Sequence, residues 1–413
     1  MRVTVFLLVL FSFLASSCNK KDKEISGERV SFINEPKKVR ENRKLNCDTG
    51  RTFSFMDNKL LDLYKSRYTS PLTKPLVVGS DLFVLDDNAN VLSFNLESKK
   101  LLWKRKLGFS NRDLPYGSMS YNSNALFITY GAKDVICLDA ITGFVIWRCD
   151  LAQRVRSKPL ILEGKVIVQT ISNEIFAIDQ KTGKVIWSAP SSNFNPQIIQ
   201  IKKIYAYKDM ILYMDNNFLN CVSLTSGQLL YSHDMISNNV ISGISRVQNS
   251  NFIESFLTVD KHDPSLLYVY SADSIYALRL LEKGILVLWY ARYIPQTYVS
   301  ECNGMLYFVD MVSNLIALDK NTGVTVLSIN LNNEVINQHM KRNILHWYTP
   351  VPISGGLLIM NKEGNFMEYN FKSHKITQKK DANGTIEVEP ILTGNDAIYF
   401  MLKDSEYQVK LLN

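Results

Sequence analysis

Residues Ser157 to Trp187, SKPLILEGKVIVQTISNEIFAIDQKTGKVIW, constrain the fold of this chain more than any other stretch, because they read as one complete antiparallel sheet that recurs along the sequence. Pro159 to Leu162, Lys165 to Thr170 and Glu174 to Asp179 are short apolar runs, separated by the turns Glu163-Gly164 and Ser172-Asn173. The next turn, Asp179 to Gly183, uses an aspartate to accept backbone N–H bonds and a glycine to take a positive φ. Lys184 to Trp187 then returns as a fourth strand. Ala177 is small where a neighbouring sheet would come close, and Trp187 offers a large apolar plate with one polar edge, suited to packing between sheets.

A fixed period marks repeat architectures, since no single unit of this kind can bury both of its faces alone. Cys137-Leu-Asp139-Ala-Ile-Thr-Gly143-Phe-Val-Ile-Trp147 matches Ala177 to Trp187 with Asp, Gly and Trp all displaced by 40. Pro75 and Trp103 keep the 28-residue interval of Pro159 and Trp187. Weaker copies follow at Cys221 to Tyr231, Tyr276 to Trp289, Ala317 to Leu327 and Tyr369 to Ile376, making seven. An eighth opens at Pro390, but the chain ends 23 residues later, which leaves room for three strands and not a fourth. Arg51 to Met56 alternates polar and apolar ahead of the first copy and is the expected closing strand. The reading is an all-β, eight-bladed β-propeller of four-stranded antiparallel blades, with the closing blade shared between the termini over residues 51–413.

Ahead of the repeats, Met1 to Ser17 holds one charge, an apolar run and small residues before Cys18, the pattern of a secretory signal too short to span a bilayer. Leu14-Ala-Ser-Ser-Cys18 resembles a bacterial lipobox, which implies lipidation of Cys18. Asn19 in place of an aspartate implies sorting to the outer membrane, facing the periplasm. Residues 18–50 are polar and mixed in charge and read as a tether, with a coil reach of roughly 30 Å for about thirty residues. The net charge of +8 is spread over a large body without a Lys/Arg block, so it does not argue for nucleic acid.

With Cys18 lipidated, five cysteines remain, an odd number that leaves at least one thiol unpaired. Cys137 and Cys149 share a hairpin without facing each other, and Cys137 and Cys221 occupy the position of Ala177, as buried structural thiols would. The chain lacks a Gly-rich phosphate loop, His-Glu-x-x-His, Gly-x-Ser-x-Gly and Cys-x-x-Cys. His339 and His346 are close in sequence, yet Glu334 is the single acid of their segment, so they read as surface histidines and not as a metal pair. Asp139, Asp179 and Asp319 recur at equivalent turns, which points to turn chemistry. No catalytic residue, metal or cofactor is expected.

The unit Ala177-Ile-Asp179-Gln-Lys-Thr-Gly183-Lys-Val-Ile-Trp187 resembles the quinoprotein-type propeller repeat. Pyrroloquinoline-quinone alcohol dehydrogenases use this repeat with adjacent cysteines, and here no two cysteines are adjacent. From Cys18 to its end the chain resembles the BamB family of barrel-assembly lipoproteins. That resemblance implies a non-enzymatic scaffold that binds the periplasmic POTRA domains of BamA, works beside other barrel-assembly subunits and helps present unfolded outer-membrane proteins. The family's partner loop corresponds to Pro190 to Pro196, which implies partner contacts from Ser191, Ser192, Asn193, Phe194 and Asn195. Ser191 stands where the family carries an arginine, and Arg246 is the candidate replacement for the missing charge. The alternatives are a quinone-dependent dehydrogenase-like propeller and a periplasmic propeller that binds a saccharide or another envelope protein.

Overall fold

Ile167, Ala177 and Trp187 lie side by side on three neighbouring strands, and this row is the unit from which the fold is built. The computed structural model describes residues 59–62 and 73–412, apart from 87, 99, 109–116, 191–203, 216–217, 236–255, 272–273, 282–283, 336–344, 382–383, 387–388, 390, 394–395 and 404–405. All of these fall in the unit spanning Phe32–Asn413. Strands Leu160–Leu162, Lys165–Gln169, Ile175–Asp179 and Val185–Ala189 pair antiparallel in chain order, as the sequence leads one to expect. Six further sheets have the same four-stranded order, so that seven span residues 76–106, 118–150, 160–189, 205–234, 256–292, 300–330 and 351–381. Among the described residues there is no α-helix, and the single helical turn is 3-10, Leu331–Asn333. The architecture is all-β and propeller-like.

The row across each sheet explains its residue types. Phe83, Ser93 and Trp103 are register partners, as are Phe127, Cys137 and Trp147, and Tyr268, Ala277 and Trp289. In each case the aromatic side chains of the second and fourth strands meet over the small third-strand residue, with ring centroids 6.0, 5.9 and 6.3 Å apart. The small residue of the repeat therefore makes room for neighbours in its own sheet, and Ala177 also shares a buried cluster with Ile211, Val222 and Leu224 of the fourth sheet, in line with the expectation that an adjacent sheet comes close there. Next to it, all seven sheets carry a register shift between the third and fourth strands, at Ala177/Ile178 in the third sheet and Cys137/Leu138 in the second. Such a bulge bends the outer strand and re-aims its side chains.

Tryptophan also joins one sheet to the next. The indole N–H groups of Trp103, Trp147, Trp187 and Trp289 donate to the carbonyls of Ala140, Gln180, Leu224 and Lys320, at 2.9–3.1 Å. Each receiving turn is closed by a glycine with φ near +70°, and a β-carbon on Gly183 would stand 2.7 Å from the Trp147 ring. Asp179 Oδ1 accepts from the backbone N–H groups of Lys181 and Thr182 and from the Thr182 hydroxyl, as expected of turn chemistry. Apolar contacts join the fourth sheet to the fifth, through Leu212 and Leu267 among others, and the sixth to the seventh, through Tyr307 and Tyr369.

The last sheet is different. Thr385–Ile386 and Ile391–Thr393 both pair with Asp396–Lys403, which pairs with Glu406–Leu412, and the outer position is taken by Lys59–Asp62 from the other end of the chain. The N-terminal contribution is present, but its residues differ from expectation: Lys59 pairs with Leu411 and Asp62 with Gln408, whereas Arg51 to Met56 lie outside the described residues. Lys59–Asp62 precedes the first sheet more closely than Arg51 to Met56 does. Tyr348 and Lys362 of the seventh-sheet region bond to Ile386, and Lys74 ahead of the first sheet pairs with Glu389 at 3.2 Å.

Candidate interaction surface

Every sheet presents two ends. One carries the turns between third and fourth strands, which run from Asp to Gly in the second, third and sixth sheets; the other carries the turns between second and third strands and the connections from one sheet to the next. Ser191, Ser192, Asn193, Phe194 and Asn195 belong to such a connection and Arg246 to another, and all six lie outside the described residues, as does Cys18. The base from which the first connection springs is described. Val185–Ala189 runs into it at the end where Ala189 faces Ile175.

That base is held by a buried polar group. Arg156, 1 % exposed, donates to Asn173 Oδ1, and Gln169 Nε2 reaches the Met214 carbonyl of the fourth sheet at 3.1 Å. The Ser157 hydroxyl accepts from the Gln169 backbone N–H at 2.7 Å. Loops that leave such a base project from a fixed platform, which suits recognition by connections of variable sequence.

A second buried group locks the fifth sheet to the sixth. Lys320 Nζ donates to Asp260 Oδ2 and to Glu301 Oε1, at 2.9 and 2.6 Å. Asp260 also accepts from Tyr268 Oη and from the backbone N–H groups of His262 and Asp263. Burial alone would raise the Asp260 carboxyl, but the bonds from Lys320, His262, Tyr268 and Asp263 outweigh it and hold it at about 2. Every strong acceptor in this group is used within the fold, so it acts as a clamp between sheets.

The outer strands form the third feature. Leu101 and Leu102, Val145 and Ile146, Val185 and Ile186, and Leu229 and Leu230 are exposed pairs at the starts of the fourth strands of four consecutive sheets. Each of these strands is hydrogen-bonded on one side only, so apolar side chains flank a row of open backbone groups, a combination that can accept an extended polypeptide. Sequence reading missed this belt, although the apolar dipeptide ahead of each tryptophan was there to be compared.

Among the described residues no group of three His, Cys, Asp or Glu is placed to hold a metal ion. His346 is exposed, and His339 lies outside the described residues. Cys137, Cys149 and Cys221 are free and buried, with Cys149 facing Val135 rather than Cys137. Burial pushes the Cys137 thiol up to about 12 and the Cys221 thiol up to about 11. Cys302 is disulfide-bonded. No helix among the described residues is long and apolar enough to cross a membrane.

Comparison with known proteins agrees with the fold. Residues 88–255 match a family model described as outer membrane protein assembly factor BamB. An uncharacterized protein of Rickettsia prowazekii is 25% identical over 346 residues, covering 81% of this chain and 80% of its own length. The outer membrane protein assembly factor BamB of Moranella endobia is 23% identical over 312 residues, covering 70% of this chain and 77% of its own. The crystal structure of BamB from Moraxella catarrhalis superposes with a TM-score of 0.65 at 13% identity, covering 87% of this chain and 99% of that one. A quinohemoprotein alcohol dehydrogenase from Comamonas testosteroni shares the fold too, with a TM-score of 0.59 at 8% identity over 84% of this chain and 74% of that one. The chain is similar in sequence to proteins named BamB and has the fold of a solved BamB.

Proposed function

We propose that this chain is a non-enzymatic scaffold of outer-membrane protein assembly: an eight-bladed propeller, held to the outer membrane through lipidated Cys18 and facing the periplasm, that binds the POTRA domains of BamA. The observation that carries this reading is the sequence similarity to a protein named outer membrane protein assembly factor BamB over 70% of the chain. The eight-blade count is supported by the succession of seven four-stranded sheets and a last sheet that takes a strand from each end of the chain. Partner contacts are assigned to Ser191, Ser192, Asn193, Phe194 and Asn195 and to Arg246, with Phe194 as an apolar anchor and Arg246 as the positive charge. The exposed outer strands are a place for unfolded barrel clients, whose alternating apolar residues would meet the paired apolar side chains.

A mild-detergent pull-down of the tagged chain from its native envelope tests the reading. Recovery of BamA with its companion subunits is the expected result, and recovery of lipidated bait without BamA would refute it. The fold shared with a quinohemoprotein alcohol dehydrogenase favours one second reading, a quinone-dependent dehydrogenase. Reproducible turnover of an alcohol after addition of pyrroloquinoline quinone and a dye acceptor would establish that reading instead.

A further inference from the structure

Because the sheets repeat, each position in a turn can be judged against its equivalents in the same molecule. Four turns between third and fourth strands share one geometry, with the glycine N–H donating to the carbonyl four residues earlier: Gly143 to Asp139, Gly183 to Asp179, Gly227 to Ser223 and Gly323 to Asp319. The second residue after that acceptor is Lys181, Thr225 or Asn321 in three of them, and Ile141 in the second sheet. The residue after the glycine is Lys184, Gln228 or Val324, and in the second sheet Phe144. Ile141 is 70 % exposed and Phe144 64 % exposed, and Val145 and Ile146 continue the apolar surface into the outer strand. Nothing in the turn requires these residues, since the third sheet makes the same bonds with lysines in their places.

The cation in direct contact with this tip is Arg105. Arg105 of the first sheet donates from Nε to the Gly143 carbonyl at 2.7 Å and sets its guanidinium 4.9 Å from the Phe144 ring centre. Lys100 begins the same strand and Lys104 alternates with Trp103 and Arg105 along it, with Asp81 and Glu97 as the acids at that end of the first sheet. Asp139, the acid of the tip itself, is taken up by the N–H groups of Ile141 and Thr142 and by the Thr142 hydroxyl. A convex turn that carries large apolar side chains beside a basic strand fits the interface of an anionic bilayer, where the apolar groups enter the acyl boundary and the cations meet phosphate. The chain also enters the fold in this sector. Lys59–Asp62 lies in the last sheet, Glu389 of that region pairs with Lys74 ahead of the first sheet, and the first sheet carries Arg105.

We propose that Ile141 and Phe144 form a membrane-contacting tip that docks on an anionic phospholipid surface. The choice of a bilayer over a protein partner rests in part on the reading of Cys18 as a lipid anchor, which would keep this sector within a coil reach of roughly 35 Å for about forty intervening residues.

The test uses the full-length lipidated chain in vesicles of phosphatidylethanolamine and phosphatidylglycerol, with a photoreactive phenylalanine in place of Phe144 or, as the internal control, of Lys184. Lipid adducts about tenfold more abundant at 144 than at 184 are expected, in keeping with burial of one large apolar side chain. Equal yields at the two positions would overturn the proposal, as would adducts at 144 formed only with protein in native envelopes. Cys18→Ala separates the two readings. Its loss of stable vesicle flotation reports on the anchor, whereas the tip predicts residual binding to phosphatidylglycerol vesicles that falls about tenfold in the further variant Ile141→Lys/Phe144→Lys. Residual binding unchanged by those lysines, which the third sheet accommodates in the same turn, would equally sink it.

Discussion

Lys320 Nζ stands 2.9 Å from Asp260 Oδ2 across the junction of the fifth and sixth sheets, and the Asp260 side chain is inaccessible to solvent. Replacing Lys320 with methionine would keep the stem and leave two carboxylates, Asp260 and Glu301, facing each other without their cation. Removing one partner of a buried ion pair costs about 3–5 kcal/mol. Chemical denaturation of Lys320→Met is expected to show a loss of that order, and a loss below about 1 kcal/mol would show that water reaches the pair.

The same group sets an acid limit. An unfolded aspartate titrates near ~3.9, and Asp260 in the fold is held at about 2, so its folded value is the lower one. Stability from this group is present above pH ~4 and is lost as the pH falls toward ~2, by about 2 kcal/mol in all. Thermal unfolding followed from neutral pH down to that window should show the decline in the native chain and a shallower one in Lys320→Met.

Gly227 and Gly164 both have φ near +70°, but their surroundings differ. A β-carbon on Gly227 would stand 2.4 Å from the Trp187 ring, while one on Gly164 meets nothing within 4 Å. Gly164→Ala should therefore cost only the left-handed backbone penalty, about 1–2 kcal/mol. Gly227→Ala should cost about 2–3 kcal/mol more as the indole is displaced. Equal melting temperatures for the two variants would contradict the role given to tryptophan as the joint between sheets.

Cys137, Cys149 and Cys221 are buried, and burial raises all three thiols above their ordinary value. A thiolate is the reactive species. Iodoacetamide at mildly alkaline pH should leave these cysteines unlabelled in the folded chain and label them in denaturant, as read by mass spectrometry of tryptic peptides.

Deleting Lys59–Asp62 removes a strand that pairs with Gln408–Leu411 along its full length. Melting should fall by several degrees, and by far less on deletion of residues 19–46. Equal melting temperatures for the two truncations would show that the pairing contributes nothing to the fold.

Much of the architecture was legible because it is local and repeated. Asp179, Gly183 and Trp187 lie within nine positions of one another, and their copies recur at fixed intervals. The clamp of Lys320 with Asp260 and Glu301 was not legible, since its members are 60 and 19 positions apart and follow no period. Ala177 was recognised as small for a packing reason, but the partner across it, Trp187 of its own sheet, follows from register and not from pattern. Arg51 to Met56 showed the alternation of a strand, whereas Lys59–Asp62 is too short to show any. Ile141 and Phe144 stand out only when the turns are compared as columns, because each is ordinary in its own stretch. The partner residues came from resemblance alone, since connections such as 191–203 follow no repeat and carry no periodic constraint.

The pairing of Lys59 with Leu411 also fixes an order of events. The first of these residues leaves the ribosome long before the second, so their pairing cannot form until nearly the whole chain has been made. Until its last strand emerges, the outer position of the final sheet stays unfilled. A chain closed in this way keeps one sheet incomplete until its synthesis is finished, whatever the order in which the other sheets form.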